Sequence, residues 1–547
     1  MVEAPMTRFA RAIAVIVVLA VGTLGAAPPP SSRRANDAAA PDRVAIQRLQ
    51  EEVQIAEILE GLRATPVPAL TILRHVRVVD PVDSTVTPGQ SIIVSEGQIA
   101  WVGASAAEPK VPDATVIDGG DRYASPGLTD MHVHDASASG WLLDLANGVT
   151  TVREMGGFPW LLDAREHMKD GRMLGPTLYV AGTIINAFPL EGYAVIVRDA
   201  PTARRVVRQL AGCGYDFIKI HNVVPKPAFD AIAEEAARFG MDLVGHVPHG
   251  MTNRYAVEHG MRTVEHLKGF LDDRTLEMGD SDYVAVARPS VWVTPTLYAG
   301  RGFSPPDSLR AMLAAPALSY TPARLRQAWA ASIALPPDDA WRRNANGEAL
   351  RRRITRALAE TPGVQFLAGT DAANYPFQVM GFALIDELQL LEANGLRPLA
   401  VLRAATSAPA AAMGAPENFG RIRRGMRADL VLLDGNPLAS TAAFRSNAGV
   451  MVQGRWLDRA TLDHAMAKLA AVYAPVSAPA PLGAAGASAL AAHARTLTEH
   501  GFVFSAMILG DAAGGLRRAG FTGAAATVSA LADAPTTGPC AVPPSSN

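Results

Sequence analysis

The hydrophobic rhythm of the chain changes several times, and each change marks a different kind of element. Ala45 to Leu62 places Ile46, Leu49, Val53, Ile55, Ile58, Leu59 and Leu62 roughly on one face, which predicts an amphipathic helix. From Leu70 to Ile117 the pattern shortens to TILRHVRVVD, SIIVSEG, QIAWVG and ATVID, punctuated by Gly, Pro, Asp and Ser as hairpins require. Between Ser125 and Ala405, apolar runs alternate with amphipathic segments such as PAFDAIAEEAARFG and RYAVEHG. The runs are LTDMHVH, TTVREM, LYVAG, FIKI, DLVGHV, RTVEHL, VWVTPT and VQFLAGTD. Strands alternating with helices predict a parallel α/β sheet, and this many predict a (β/α)8 barrel of TIM type. An insertion at roughly 300–350 suits a helical lid. GMRADLVLLDG and VMVQGRWLD then return to strand character. Segments before and after the barrel are therefore expected to pair into one small β-sandwich.

These transitions divide the chain into a leader and helix at 28–68, a first part of the sandwich at 69–124, the barrel at 125–415 and the second part of the sandwich at 416–460. Residues 461–547, rich in Ala, Gly and Pro, read as a helical and flexible appendage. Residues 1–27 read as an export signal. Arg8 and Arg11 precede a small or apolar run from Ala12 to Gly25, and Gly25-Ala26-Ala27 offers a cleavage site before Pro28-Pro29-Pro30. The run is shorter than the ~20 residues a spanning helix needs. Cleavage and delivery to a periplasm are expected, without stable membrane insertion afterwards; an uncleaved N-terminal anchor is the alternative.

Composition narrows the partners. A net charge of -2, from 50 basic and 52 acidic residues, lacks the basic excess that nucleic acid or an anionic membrane selects. A small-molecule or dipeptide-like substrate is expected instead, and a homo-oligomer is left open. The two cysteines, Cys213 and Cys540, lie so far apart that their spacing gives no reason to propose a disulfide.

Catalytic groups of such barrels come from the C-terminal ends of several strands, so polar residues at those ends carry the chemistry. His132 and His134 end the first run, and period-two alternation points both imidazoles to one side, as a zinc-like ion requires. Lys219 lies in the apolar strand FIKI. It either snorkels to water or is desolvated, in which case its neutral amine can take up CO2 as a carbamate. His246 and His266 close successive strands, each a lone satisfied histidine or one of a ligand pair. Asp371, after Gly369 and Thr370, either binds metal and accepts a proton or caps the next helix. Arg153 either forms a salt bridge inside the barrel or pairs with a substrate carboxylate. His221, His249 and Tyr298 are expected at the same mouth as substrate contacts.

The ordered set HxH, strand lysine, His, His, Asp resembles the amidohydrolase superfamily. The phrases SPGLTDMHVH, GVTTVREMGG, DFIKI, TVEHLKG, LAGTD, LRAATSAPAAAMG and GRIRRGMRADLVLLDGNPL resemble its imidazolonepropionase-like branch, which includes metal-dependent prolidases. The resemblance covers roughly residues 70–458. It implies two divalent ions, zinc foremost, with His132, His134 and Asp371 at the more buried ion and His246 and His266 at the second. Lys219, carbamylated by CO2, would bridge them. It further implies hydrolysis of an amide or peptide bond (dipeptide, Xaa-Pro or N-acyl amino acid) by a metal-bridging hydroxide, with Asp371 as general base. A mononuclear deaminase or cyclic-amide hydrolase, which does not need Lys219, is the alternative. Esterase, lactonase and phosphotriesterase chemistry are open to the same hydroxide, and a metal-poor binding protein would not need every ligand type retained.

Overall fold

Short apolar runs separated by helices close into a ring of parallel strands in the computed structural model. The structure describes residues 40–134, 137–190, 194–272, 274–333, 339–373, 376–474, 482–533 and Cys540; the expected signal, 1–27, lies outside them. The strands are Leu128–Val133, Val149–Glu154, Thr177–Val180, Phe217–Ile220, Asp242–Gly245, Met261–Glu265, Trp292–Thr294 and Gln365–Phe366. Neighbours pair in parallel, the third reaching the fourth through a bridge between Ala181 and Phe217. The ring closes where the segment after the last strand runs beside the first. Met131 N donates to Ala368 O at 2.9 Å and Asp371 N to His132 O at 2.8 Å. Three of the helices after the strands begin at side-chain caps: Ser137 accepts from Gly140 N, Asp199 from Thr202 N and Thr252 from Tyr255 N. Each cap fixes where a loop ends, and so where the residues at the strand tip point. This is the expected (β/α)8 barrel.

The strands flanking the barrel in sequence join in one sheet. Its hydrogen-bonded order is Arg455–Asp458, Asn447–Val452, Leu430–Leu433, Tyr123–Pro126, Leu70–Asp80, Thr85–Ser95 and Gln98–Ala104, with Thr115–Asp118 beside Leu70–Asp80. The last of these curls back: Ile99 N donates to Met426 O and Ala428 N to Gly97 O, both at 2.8 Å. The curl encloses a core of its own that includes Leu73, Val76, Ile92, Ile99, Met426, Leu430 and Met451.

The predicted first helix runs Ala40–Ala64 and packs with the helices Arg459–Val472, Ala484–Glu499 and Ala506–Arg518, the last of which also packs on Thr522–Ala532. Ile46, Leu49, Val53 and Leu59 are buried in the same core as Leu469, Leu509 and Leu516. Arg518 pairs with Asp42 at 2.6 Å and His493 with Glu57 at 2.9 Å across the layer. The described part of 484–532 is thus a packed helical layer rather than a loose tail. The insertion near 300–350 is helical, as expected, with Pro306–Leu313, Ala323–Ile333 and Asp339–Glu360. It is tied to that layer through Arg324, which donates to both oxygens of Glu51 at 2.7 Å, and Arg326, which donates to Tyr473 O at 3.1 Å. No helix among the described residues is long and apolar enough to cross a membrane.

One sequence expectation is corrected. Cys213 and Cys540 form a disulfide, with Cα atoms 5.5 Å apart despite a separation of 327 residues. Spacing along the chain is silent about distance in space, and the tail returns to the C-terminal cap of helix Ala200–Gly212, where Cys213 sits. Cys540→Ser is expected to lower stability by about 2–4 kcal/mol, read as a shifted urea midpoint. An unchanged midpoint would mean that the bridge adds nothing to the folded state.

Candidate metal centre

Ionisable side chains converge at the C-terminal mouth of the barrel. His132, His266 and Asp371 can each bring a ligand atom within 4.8 Å of the other two. His134 Nε2 lies 3.3 Å from Asp371 Oδ1, and Lys219 Nζ lies 3.3 Å from His132 Nε2. The His246 ring centroid stands 4.8 Å from that of His266. All six predicted ligands therefore share one cluster.

The backbone that delivers them leaves ordinary strand geometry at the tips. His266, Thr296 and Asp371 have φ of 57°, 50° and 59°, a left-handed conformation that side chains rarely adopt. Such positions concentrate at functional sites, where surrounding structure holds them. Gly245, just before His246, has φ of 122°, and a Cβ there would collide with Ile220 O. At Gly369 a Cβ would stand 2.9 Å from that of His132, so only glycine lets the LAGTD segment approach the first strand.

Three histidines have their Nδ1 atoms already engaged. His132 Nδ1 stands 2.8 Å from Glu265 Oε2, His246 Nδ1 2.6 Å from Asn222 Oδ1, and His266 Nδ1 2.7 Å from Thr296 Oγ1. Two of these partners are oxygens that accept only. The third, the Thr296 hydroxyl, spends its proton on Pro295 O at 2.8 Å and so also accepts. Each imidazole thus carries its proton on Nδ1 and keeps its lone pair on Nε2, the arrangement of metal-bound histidines.

Electrostatics point the same way. Burial, with Lys219 adding to it, lowers His132 to about 4, so its ring is neutral at physiological pH. Burial likewise holds His246 and His266 well below the usual histidine range. Burial pushes Lys219, 1% exposed, down to about 8, which leaves part of it as the free amine. For Asp371 burial opposes ionisation, but His266, His134 and His132 outweigh it and hold the carboxyl well below its normal range. Neutral imidazoles, an anionic carboxylate and an amine able to lose its charge form a donor set that fits borderline divalent ions such as zinc.

Arg153 is 1% exposed; it donates to Glu265 Oε1 at 2.6 Å and to Met131 O at 2.6 Å. Of the two readings the sequence left open, this geometry is the salt bridge. His221 sits with its ring 4.3 Å from that of His246, and His249 N donates to Asn222 O at 2.8 Å, which brings both beside the cluster. Tyr298 was expected at the mouth; it is buried, and its hydroxyl donates to Phe377 O at 3.1 Å. Sequence reasoning did not single out Glu265, Asn222, Thr296 or Asp130. Asp130 Oδ2 accepts from Thr370 Oγ1 at 2.8 Å, and burial raises its carboxyl to about 7. Glu265 and Asp130 had a signal, since an acid in an apolar strand is as anomalous as Lys219. Asn222 and Thr296 lie past strand ends and had none.

With this geometry established, likeness to known proteins can be placed. The sequence profile of the amidohydrolase family matches residues 123–457, and the chain belongs to that family. A bottromycin amidohydrolase structure is 29% identical, covering 79% of this chain and 97% of its own, with a TM-score of 0.64. A putative prolidase from Bifidobacterium longum shares the fold at 24% identity and a TM-score of 0.58, over 74% of this chain and 100% of its own. An ochratoxinase of Aspergillus niger is 25% identical over 439 residues, 68% of this chain and 82% of the fungal protein. An adenine deaminase of Rubrobacter xylanophilus is 35% identical over 113 residues, 20% of this chain and only 18% of the deaminase.

Glu265→Gln tests the centre's scaffold, because it strands the buried guanidinium of Arg153. A loss of about 3–5 kcal/mol is expected in metal-free protein, measured by urea unfolding. A loss below about 1 kcal/mol, the worth of a surface pair, would contradict the buried network.

Proposed function

We propose that this chain is an exported binuclear metal-dependent hydrolase that cleaves an amide or peptide bond in a small molecule. The observation that carries the reading is the set of three histidines beside Asp371 and Lys219 whose Nδ1 atoms are engaged by neighbouring oxygens, which leaves Nε2 as the ligand atom of each. In this reading His132, His134 and Asp371 would hold one ion and His246 and His266 a second. Lys219 would add an oxygen donor as its carbamate, formed when the neutral Nζ adds to CO2 and loses a proton. Divalent ions there would polarise a carbonyl and acidify water. Asp371, ionised and set among the histidines, takes the water's proton and passes it to the leaving amine. His221 and His249, beside His246, are the substrate contacts, while Arg153 and Tyr298 hold the frame from within.

Amide chemistry is supported by relatives named amidohydrolase and prolidase, and by the ochratoxinase as a broader relative. The substrate class we assign is a dipeptide, an Xaa-Pro peptide or an N-acyl amino acid. The adenine deaminase match favours a deaminase as second reading; a mononuclear one would not need Lys219, which separates the two. Export is supported by the Cys213–Cys540 disulfide, since such bonds persist in oxidising compartments.

Metal content per chain, measured in protein purified without chelator, discriminates these readings. Near two ions in the wild type, falling in Lys219→Ala together with hydrolysis of a dipeptide and N-acyl amino acid panel, is the expected result. One ion, unchanged in the variant, would remove the carbamate and favour the deaminase. Sequencing the N-terminus of the same material tests export: a start near Pro28 is expected, and an intact Met1 on a soluble cytoplasmic protein would refute it.

A further inference from the structure

The loop after strand Trp292–Thr294 turns on left-handed Thr296 and enters a 3-10 turn, Leu297–Phe303. The first N–H groups of such a turn lack partners within it. Here they are buried, and one side chain from the helix Phe382–Ala393 takes both: Leu297 N donates to Glu387 Oε1 at 3.1 Å and Tyr298 N to Glu387 Oε2 at 2.6 Å. Glu387 is 0% exposed. Its neighbour Asp386 grips the far end of the same turn through Arg301 at 2.5 Å. One helix thus holds both ends of the turn, and the residue just before the clamped N–H groups is Thr296.

We propose that Glu387 is a positioning residue for His266, acting through Thr296. The Glu387 side chain fixes the backbone at 297 and 298, which holds Thr296 left-handed. The Thr296 hydroxyl, its proton committed to Pro295 O, is then aimed as an acceptor at His266 Nδ1, 2.7 Å away. His266 is thereby held in the tautomer and orientation that free its Nε2. Glu387 touches neither substrate nor ligand, and no spacing rule connects it to the cluster. The inference rests on the reading of His266 as a metal ligand.

The experiment measures zinc affinity of metal-free protein by competition with a chromophoric chelator. It compares wild type, Glu387→Gln, Thr296→Ala, Thr296→Ser and the double variant Glu387→Gln/Thr296→Ala. Glu387→Gln keeps one acceptor but turns an amide toward the second N–H. Loss of a ligand's supporting partner costs on the order of 10–100-fold in metal affinity. Each of Glu387→Gln and Thr296→Ala is therefore expected to weaken one of two zinc sites about 10-fold or more. The double variant should be no weaker than the worse single, because both act through one hydrogen bond. Thr296→Ser, which restores the hydroxyl, should recover affinity relative to Thr296→Ala. Should Glu387→Gln fail to accumulate, Glu387→Asp is read in the same way. Wild-type affinity in Glu387→Gln, or losses that multiply in the double variant, overturns the inference alone. A wild type that takes up no zinc overturns the metal-centre reading, and the inference with it.

Discussion

Glu265 holds a carboxylate where water does not reach, and much of the barrel mouth follows from how that charge is balanced. Burial alone favours its neutral form, yet Arg153 and His132 hold it well below the carboxylate range. Thr263, two residues earlier on the same strand, donates to the oxygen that Arg153 also reaches. A buried ion pair offers little net stability, but it strongly penalises any arrangement that separates its members. The strands bearing Arg153, Glu265 and His132 are therefore locked in relative height, and His132 is pinned through Nδ1. The remaining candidate ligands are placed against that fixed point.

The helical layer enters the argument at one remove. It packs against the barrel helix that follows His132, where Trp141 meets Phe502 with ring centroids 6.4 Å apart. Arg324 and Arg326 tie the insertion before the last strand to the same layer. The two segments that flank the site in space, one after the first strand and one before the last, share a common outer support.

Most of the barrel was legible because its strands are apolar runs bounded by turn residues, and a buried parallel strand has little other way to be written. The clustered side chains were legible because charge in such a run is costly: Lys219 and the histidines at the tips stand out by type and place. What escaped notice depends on distant pieces of chain meeting. Cys540 returns to Cys213 across 327 residues, and Glu387 reaches a turn about ninety residues earlier. Neither has a local pattern to betray it. Tyr298 illustrates the opposite case: position after a strand pointed it outward, but the 3-10 turn beginning at Leu297 rotates it inward to Phe377 O. Strand periodicity stops at the strand's end, and a residue four positions beyond it obeys the turn instead.

The bond between Cys213 and Cys540 also changes what a broken backbone means. More than half of the barrel, the closing strands of the curled sheet and the helices from Arg459 to Ala532 all lie on the chain between these two residues. A protease that nicks any loop within that span releases no fragment: the two pieces remain joined through sulfur, and the packed interior keeps them in register. The molecule can be cut once and still be one molecule.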